Sequence, residues 1–187
     1  MREAKLDNGT DNFEFILLYV DDCLVISQHP KEALDKLGKY FPLKPESVGP
    51  PKLYLGGKIS KLELPNGVVD WTIGASKYIQ QALNNLEGIL KTHGLKLRKN
   101  TNSPLPGNYQ PECDSTPECS PEHATIYTSL IGILRWLVEL GRIDITCEVS
   151  MISSYTAMPR EGHLDHVIYI FSYLKAHHNS RLVLDPS

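Results

Sequence analysis

Along the chain the hydrophobic positions switch between a two-residue and a 3.6-residue period, and each switch marks an element. A polar lead, MREAKLDNGTDN, gives way to FEFILLY, then VDD, then CLVIS. Two short runs rich in Phe, Ile, Leu, Val and Tyr flank an acidic pair, which predicts a tight β-hairpin with Asp21 and Asp22 at its turn. In HPKEALDKLGKYF, Pro30 suits a first helical turn, and Leu34, Leu37 and Phe41 recur at helical spacing. A short amphipathic helix from Pro30 to Phe41 is expected, then a Pro-rich connector. KLYLGGKISKLELPNGVVDWTI alternates around PNG and reads as a second hairpin, with Asn66-Gly67 as a turn pair able to adopt positive φ. Gly56-Gly57, inside its first strand, points to a bulge or a close approach to the backbone. From Ser76, a plausible N-cap, the period becomes helical through Ile79, Leu83, Leu86 and Leu90. The stretch from Thr101 to Pro121 has the composition of a surface linker. The rest reads as three helices, the first starting at Ser120-Pro121-Glu122 and stopping at Gly141, the second and third divided by Pro159.

Composition narrows the classes that such a chain can belong to. With 187 residues, 41% hydrophobic and 22% charged, it is globular and long enough for one sizeable core or two small ones. The longest apolar run, Phe15 to Val20, falls far short of the ~18 residues of a membrane span, so no membrane partner is expected. The polar start has no apolar signal core, and four cysteines do not make a secreted disulfide framework. An intracellular protein is expected, in a cytoplasmic particle or the nucleus and not secreted. A net charge of −3 gives no global pull on nucleic acid, so any such contact must come from local patches.

Asp-Asp in a turn commonly does no more than bond the neighbouring backbone. Here the flanks are strongly apolar, so two carboxylates stand at the end of a hairpin that wants burial. Like charges that close shift their pKa or recruit a cation. A pair of hard oxygen ligands on a rigid hairpin suits Mg²⁺, and that is part of the arrangement two-metal phosphoryl transfer needs.

Tyr19-Val20-Asp21-Asp22 between apolar strands resembles the Tyr-x-Asp-Asp motif of reverse transcriptases. The downstream order strengthens the resemblance to the Ty1/copia retrotransposon class: LYLGGKIS resembles the primer-gripping hairpin, SKYIQQAL the thumb segment, and NSPLPGNY the segment after it. YTSLIGILRWLVELGRIDITCEVSMISSYTAMPREGHLDHVIYIFSYLKAH resembles the copia stretch that follows. The order holds from about Phe13 to Lys175. The resemblance implies an α+β chain: a partial palm of β-hairpins plus a helix at 1–74, then a thumb-like helical segment at 75–100. After a linker at 101–121 comes a three-helix connection region at 122–187.

The implied activity is RNA-directed DNA polymerisation by two-metal nucleotidyl transfer, within an intact Pol polyprotein. Asp21 and Asp22 would be catalytic ligands of two Mg²⁺ (or Mn²⁺) ions, and Tyr19 and Val20 would lie near the primer end or incoming nucleotide. Leu55, Gly56 and Gly57 would lie near the primer grip. The implied partners are an RNA or DNA template–primer duplex, a dNTP, upstream fingers and palm, and a downstream ribonuclease H. The family's third aspartate, expected well upstream of Tyr19, has no counterpart here, so the chain reads as a polymerase fragment, inactive alone. The alternative is a degenerate relic acting at most as a nucleic-acid-binding or helical interaction module. GRIDI also departs from the family's Arg-Pro-Asp-Ile, and without the Pro the chain is free to continue helical.

Lys91, Lys96, Arg98 and Lys99 are either a solvated helix end or, in a thumb, contacts to the nucleic-acid backbone. Cys113, Cys119 and His123 are spaced too widely for a usual zinc site and lack a fourth ligand. His163 and His166 read as structural, and His177-His178 as a solvated helix end. Cys23 reads as a small apolar residue.

Overall fold

The computed structural model describes residues 1–5, 7–99 and 101–184, which form two compact units divided between Leu55 and Gly56. Residues 6, 100 and 185–187, inside the ranges 1–74, 75–100 and 122–187 given above, lie outside the described residues.

The first unit is a three-stranded antiparallel sheet and a helix. β1 (Arg2–Lys5) pairs with β2 (Asp11–Tyr19), and β2 pairs with β3 (Asp22–Ile26). The polar lead thus contributes a strand. Its side chains carry no period, but its backbone finds β2 in register from Arg2 opposite Glu14 to Lys5 opposite Asp11. Alternation places Phe13, Phe15, Leu17 and Tyr19 on one face with Leu24 and Ile26. Ile16, Leu18, Cys23 and Val25 share the other face. Helix α1 (Pro30–Gly38) leaves a groove over that second face, lined by Ile16, Val25, Ala33 and Leu37. It ends three residues before Phe41, which is exposed. None of the unit's described residues is fully buried, and Phe13, Phe15, Leu17, Tyr19 and Ile26 are all exposed. A 3-10 turn (Pro45–Ser47) and β4 (Leu53–Tyr54) complete it.

The second unit holds the core. β5 (Gly57–Glu63) and β6 (Val69–Gly74) form a hairpin, and β7 (Leu182–Val183) adds to β6. Its turn centres on Pro65-Asn66, not Asn66-Gly67: Gly67 N–H donates to Leu64 C=O at 2.8 Å, and Gly67 alone has positive φ. Helix α2 (Ser76–Thr92) buries the expected stripe of Ile79, Leu83, Leu86 and Leu90. Ser76 is its first residue and not its cap. The Ser76 hydroxyl lies 3.1 Å from His178 Nδ1, tying the start of α2 to the far end of the chain.

Helices α3 (Pro121–Glu139), α4 (Thr146–Ser153) and α5 (Glu161–Ala176) pack together through Tyr127, Leu134, Leu137, Ile152, Val167 and Phe171. Ser120 caps α3 as expected, accepting from His123 N–H. The helix does not run on through GRIDI. Gly141 at φ +94° and the bond from Arg142 N–H to Leu137 C=O close α3 in a Schellman motif, and a 3-10 turn (Ile143–Ile145) precedes α4. A Cβ on Gly141 would also lie 3.2 Å from Ile73 Cγ2, so both conformation and space ask for glycine there.

Residues 101–121 carry one short 3-10 turn (Pro111–Cys113), yet they pack on α5. Leu105 and Pro111 are buried, and the Tyr109 ring stacks on His166 at 3.5 Å. Glu161 N–H donates to Pro117 C=O, and Gly162 N–H donates to the Thr116 hydroxyl. The open N-terminus of α5 is thereby satisfied by the loop.

Candidate functional site

The acidic pair stands at the tip of the β2–β3 hairpin. Tyr19 pairs with Asp22, so the two-residue turn is Val20-Asp21, and Asp22 is the first residue of β3 and not a turn residue. Asp22 therefore shares a sheet face with Tyr19, while Asp21 stands at the apex. Both carboxylates are exposed, and neither makes a hydrogen bond or ion pair with another described residue. All four motif residues come together on this one hairpin.

Val20 has φ +52° and is 94% exposed, whereas Asp21 keeps negative φ. A single positive φ at the first turn position is the pattern in which glycine is preferred. A β-branched residue there is strained, of order 1–3 kcal/mol, and its side chain recovers nothing by burial. The hairpin holds it because the ladder behind it runs five pairs deep, from Tyr19–Asp22 to Phe15–Ile26.

Contacts at and behind the tip are not visible in the sequence pattern. The Tyr54 phenol pKa is raised, by burial first and then by the nearby Asp22 and Cys23 charges. At the hairpin base the Ser27 hydroxyl donates to Glu14, and His29 N–H donates to Ser27 Oγ at 2.9 Å. Asp7 meets both Gln28 Nε2 (2.9 Å) and His29 Nε2 (3.1 Å), fixing the entry to α1. Burial raises the Cys23 thiol pKa, in keeping with a small apolar role.

Leu55 and Gly56 both take positive φ, 51° and 88°, in a tight turn between β4 and β5. A Cβ on Gly56 would meet nothing within 4 Å. This glycine serves the turn, and neither a bulge nor close packing. Gly57 follows as the first, buried residue of β5.

The basic residues lie in the second unit and divide into two kinds. Arg98 is engaged: its guanidinium pairs with Asp165 and sits 5.1 Å from the Tyr169 ring centre, while its N–H donates to Ser172 Oγ. Lys91, Lys96 and Lys99 are exposed and have no partner among the described residues. Lys91 sits in the last turn of α2, where a cation suits the dipole.

Cys119 and His123 converge on Glu161, with His123 Nδ1 2.9 Å from both carboxylate oxygens, whereas Cys113 turns to Gln110. Among the described residues no three His, Cys, Asp or Glu side chains are placed to hold a metal ion. Burial, then Glu161, pushes the Cys119 thiol up to about 11. Alkylation at pH 8 should therefore modify the exposed Cys113 and Cys147 first, with Cys119 at least about tenfold slower. Mass mapping of carbamidomethylated peptides over time checks this. His163 is buried with both ring nitrogens engaged, Nδ1 accepting from Arg160 N–H and Nε2–H donating to Pro111 C=O. His177 is half-buried at the end of α5: its ring lies 4.5 Å from that of Tyr173, and its Nε2 is buried.

No known family profile matches the chain, and no solved structure does. It is similar to a retrovirus-related Pol polyprotein from transposon TNT 1-94 of Nicotiana tabacum, 29% identical over 173 residues. That match takes in 88% of this chain and 12% of the tobacco protein. It is also 30% identical over 168 residues to a putative transposon Ty5-1 protein of Saccharomyces cerevisiae, covering 86% of this chain and 48% of the yeast protein. The chain thus spans less than half of each relative. No helix among the described residues is long and apolar enough to cross a membrane. Matched over most of its own length by both, this chain is related to transposon-encoded proteins, one of them a retrovirus-related Pol polyprotein.

Proposed function

We propose that the chain is part of a transposon-encoded reverse transcriptase, carrying two of its metal-binding carboxylates on the Tyr19–Asp22 hairpin. The observation that carries this reading is the tip itself: Asp21 at the apex beside the strained Val20 and Asp22 at the head of β3, both exposed and, among the described residues, without hydrogen-bond or ion-pair partners. Two acceptor-only carboxylates fit part of a Mg²⁺ or Mn²⁺ ligand set, since such ions take hard oxygens and keep several waters. When bound, the ions would supply Lewis acidity to the primer hydroxyl and the leaving pyrophosphate. The residues of this chain would hold and orient. Asp21 and Asp22 would present oxygens from adjacent positions, Tyr19 shares a sheet face with Asp22, and Val20 would lie near the primer end. The reading takes the third carboxylate, the nucleotide pocket and ribonuclease H from polypeptide outside these residues, so the chain alone does not polymerise.

Line broadening by Mn²⁺ tests this directly. Amide signals of residues 19–23 should broaden first, and Asp21→Asn with Asp22→Asn should abolish the selectivity; broadening spread evenly over the chain's carboxylates would sink the reading. Primer extension on an RNA template by the chain alone, lost in Asp21→Asn, would show instead that the catalytic set is complete here.

A second reading, non-catalytic binding of nucleic acid, is favoured by three exposed lysines that have no partner among the described residues. Lys91, Lys96 and Lys99 to Ala should flatten the slope of log affinity against log salt by about 0.9 per lost phosphate contact. Arg98→Ala should instead lower stability, because its charge is already used. Titrations of a duplex at four salt concentrations separate the two.

A further inference from the structure

Asn8 and Asn66 are the two asparagines of this chain that are followed by glycine. They sit in turns of the same construction. In the first, Asn8 Oδ1 accepts from Thr10 N–H at 3.0 Å, and Gly9 has φ +83°. In the second, Asn66 Oδ1 accepts from Val68 N–H at 3.0 Å, and Gly67 has φ +81°. Each bond closes a small ring that contains both the Asn Cγ and the nitrogen of the following glycine. It also polarises the carboxamide, with a donor placed where negative charge would grow on Oδ1 if that nitrogen attacked Cγ. Both dipeptides are exposed, and a Cβ on either glycine would meet nothing within 4 Å, so no side chain screens the nitrogen from water and base. The two nitrogens differ, however. Gly67 N–H donates to Leu64 C=O at 2.8 Å, in a turn closed a second time by Leu64 N–H to Val68 C=O at 2.7 Å. No described residue accepts from Gly9 N–H.

We propose that Asn8 is a site of spontaneous deamidation, and that its isoaspartyl product loosens β1. Hydroxide takes the Gly9 N–H proton, and the nitrogen bonds to Asn8 Cγ. The Cγ–Nδ2 bond breaks, the nitrogen that leaves takes a proton from water to depart as ammonia, and a cyclic imide joins the two residues. Water then opens the imide at either carbonyl, giving aspartate or isoaspartate, with no redox change. At Asn66 the same attack must first break the bond from Gly67 N–H to Leu64, so that turn is the slower of the two. Isoaspartate carries the main chain through Cβ and is one atom longer, in the turn that sets Lys5 opposite Asp11. It also adds a carboxylate next to Asp7, whose own carboxylate meets Gln28 and His29. β1 is held to β2 by four backbone pairs that begin at this turn, so a lengthened turn acts on all of them.

The test ages the full chain at pH 8 and follows the amide-to-acid mass change by peptide mapping. Asn8 should convert at least about threefold faster than Asn66, the factor for one hydrogen bond that must first break. In urea, where neither turn persists, the two rates should meet. Asn8 converting no faster than Asn66 in the folded chain overturns the proposal. So does a gap that survives in urea, because the neighbouring sequence and not the turn would then cause it. In chain already converted at Asn8, the amide hydrogens of Glu3 to Lys5 should exchange at least about threefold faster than in fresh chain. Unchanged exchange there overturns the loosening of β1.

Discussion

Changing Asp144 to Asn should lower the unfolding free energy by about 3 kcal/mol, the low end for breaking a buried ion pair, because Asp144 keeps some exposure. Its partner is almost sealed: Arg142 is 1% exposed, and its guanidinium meets Asp144 through Nε at 2.8 Å and Nη2 at 2.7 Å. Tyr173 donates a further bond to Asp144 at 3.0 Å, while Arg142 Nη1 is buried without a hydrogen-bond partner among the described residues. The pair is a committed charge in a site that cannot solvate it, and the amide would leave that charge uncompensated. Urea unfolding of both proteins measures the loss, and a difference under 1 kcal/mol would refute the account. Burial works to raise the Asp144 pKa, but the hydrogen bonds and charge of Arg142 outweigh it, so the carboxyl lies below its ordinary value. The folded value being depressed, this contribution is full above the unfolded pKa and fades as pH falls through the folded one. The wild-type chain should thus lose stability below about pH 4, and that part of the acid slope should be missing in Asp144→Asn.

Gly162→Ala should cost about 2 kcal/mol, although it places a good helix former inside α5. A Cβ there would lie 2.0 Å from Asp114 Oδ2 and 2.8 Å from its Cγ. Asp114 cannot swing away freely, since its Oδ1 accepts from both the N–H (2.9 Å) and the hydroxyl (2.6 Å) of Thr116. Thr116 in turn accepts from Gly162 N–H at 2.8 Å, so one methyl group disturbs the whole cap. The melting temperature should fall by roughly 4–8 °C at 2–4 °C per kcal/mol for a chain of this size. Adding Asp114→Ala to Gly162→Ala should cost less than the sum of the two single changes, because the clash is then gone. A drop under 1 °C in the single variant would show that the loop yields easily.

How much of this is legible in the sequence depends on whether a residue acts through its own side chain or through a distant neighbour. The hairpin around Asp21 and Asp22, the α2 stripe and the three later helices follow from periodicity, because burial of one face is what periodicity records. β1 does not, since a strand held by its backbone writes no apolar pattern. Ser76 reads as a cap but lies inside the helix for a related reason: its hydroxyl answers to His178, about a hundred residues away. Residues 101–121 look like a linker by composition, yet Tyr109, Pro111 and Thr116 are positioned by His166, His163 and Gly162. At the candidate site the expected turn pair divides: Asp21 is in the turn, whereas Asp22 is the first residue of β3, paired with Tyr19. Arg98 carries a charge pattern that suits phosphate, and the fold commits that charge to Asp165.

If the hairpin tip acts as proposed, folding and use place opposite demands on Val20. Glycine at this position would relax the turn, so a library randomised there and selected only for thermal survival should drift to Val20→Gly. A library selected for what the hairpin tip contacts should retain a side chain in spite of the strain. The gap between those two outcomes would read out how much of this position is held by what stands in front of it, a quantity that neither stability nor sequence reveals alone.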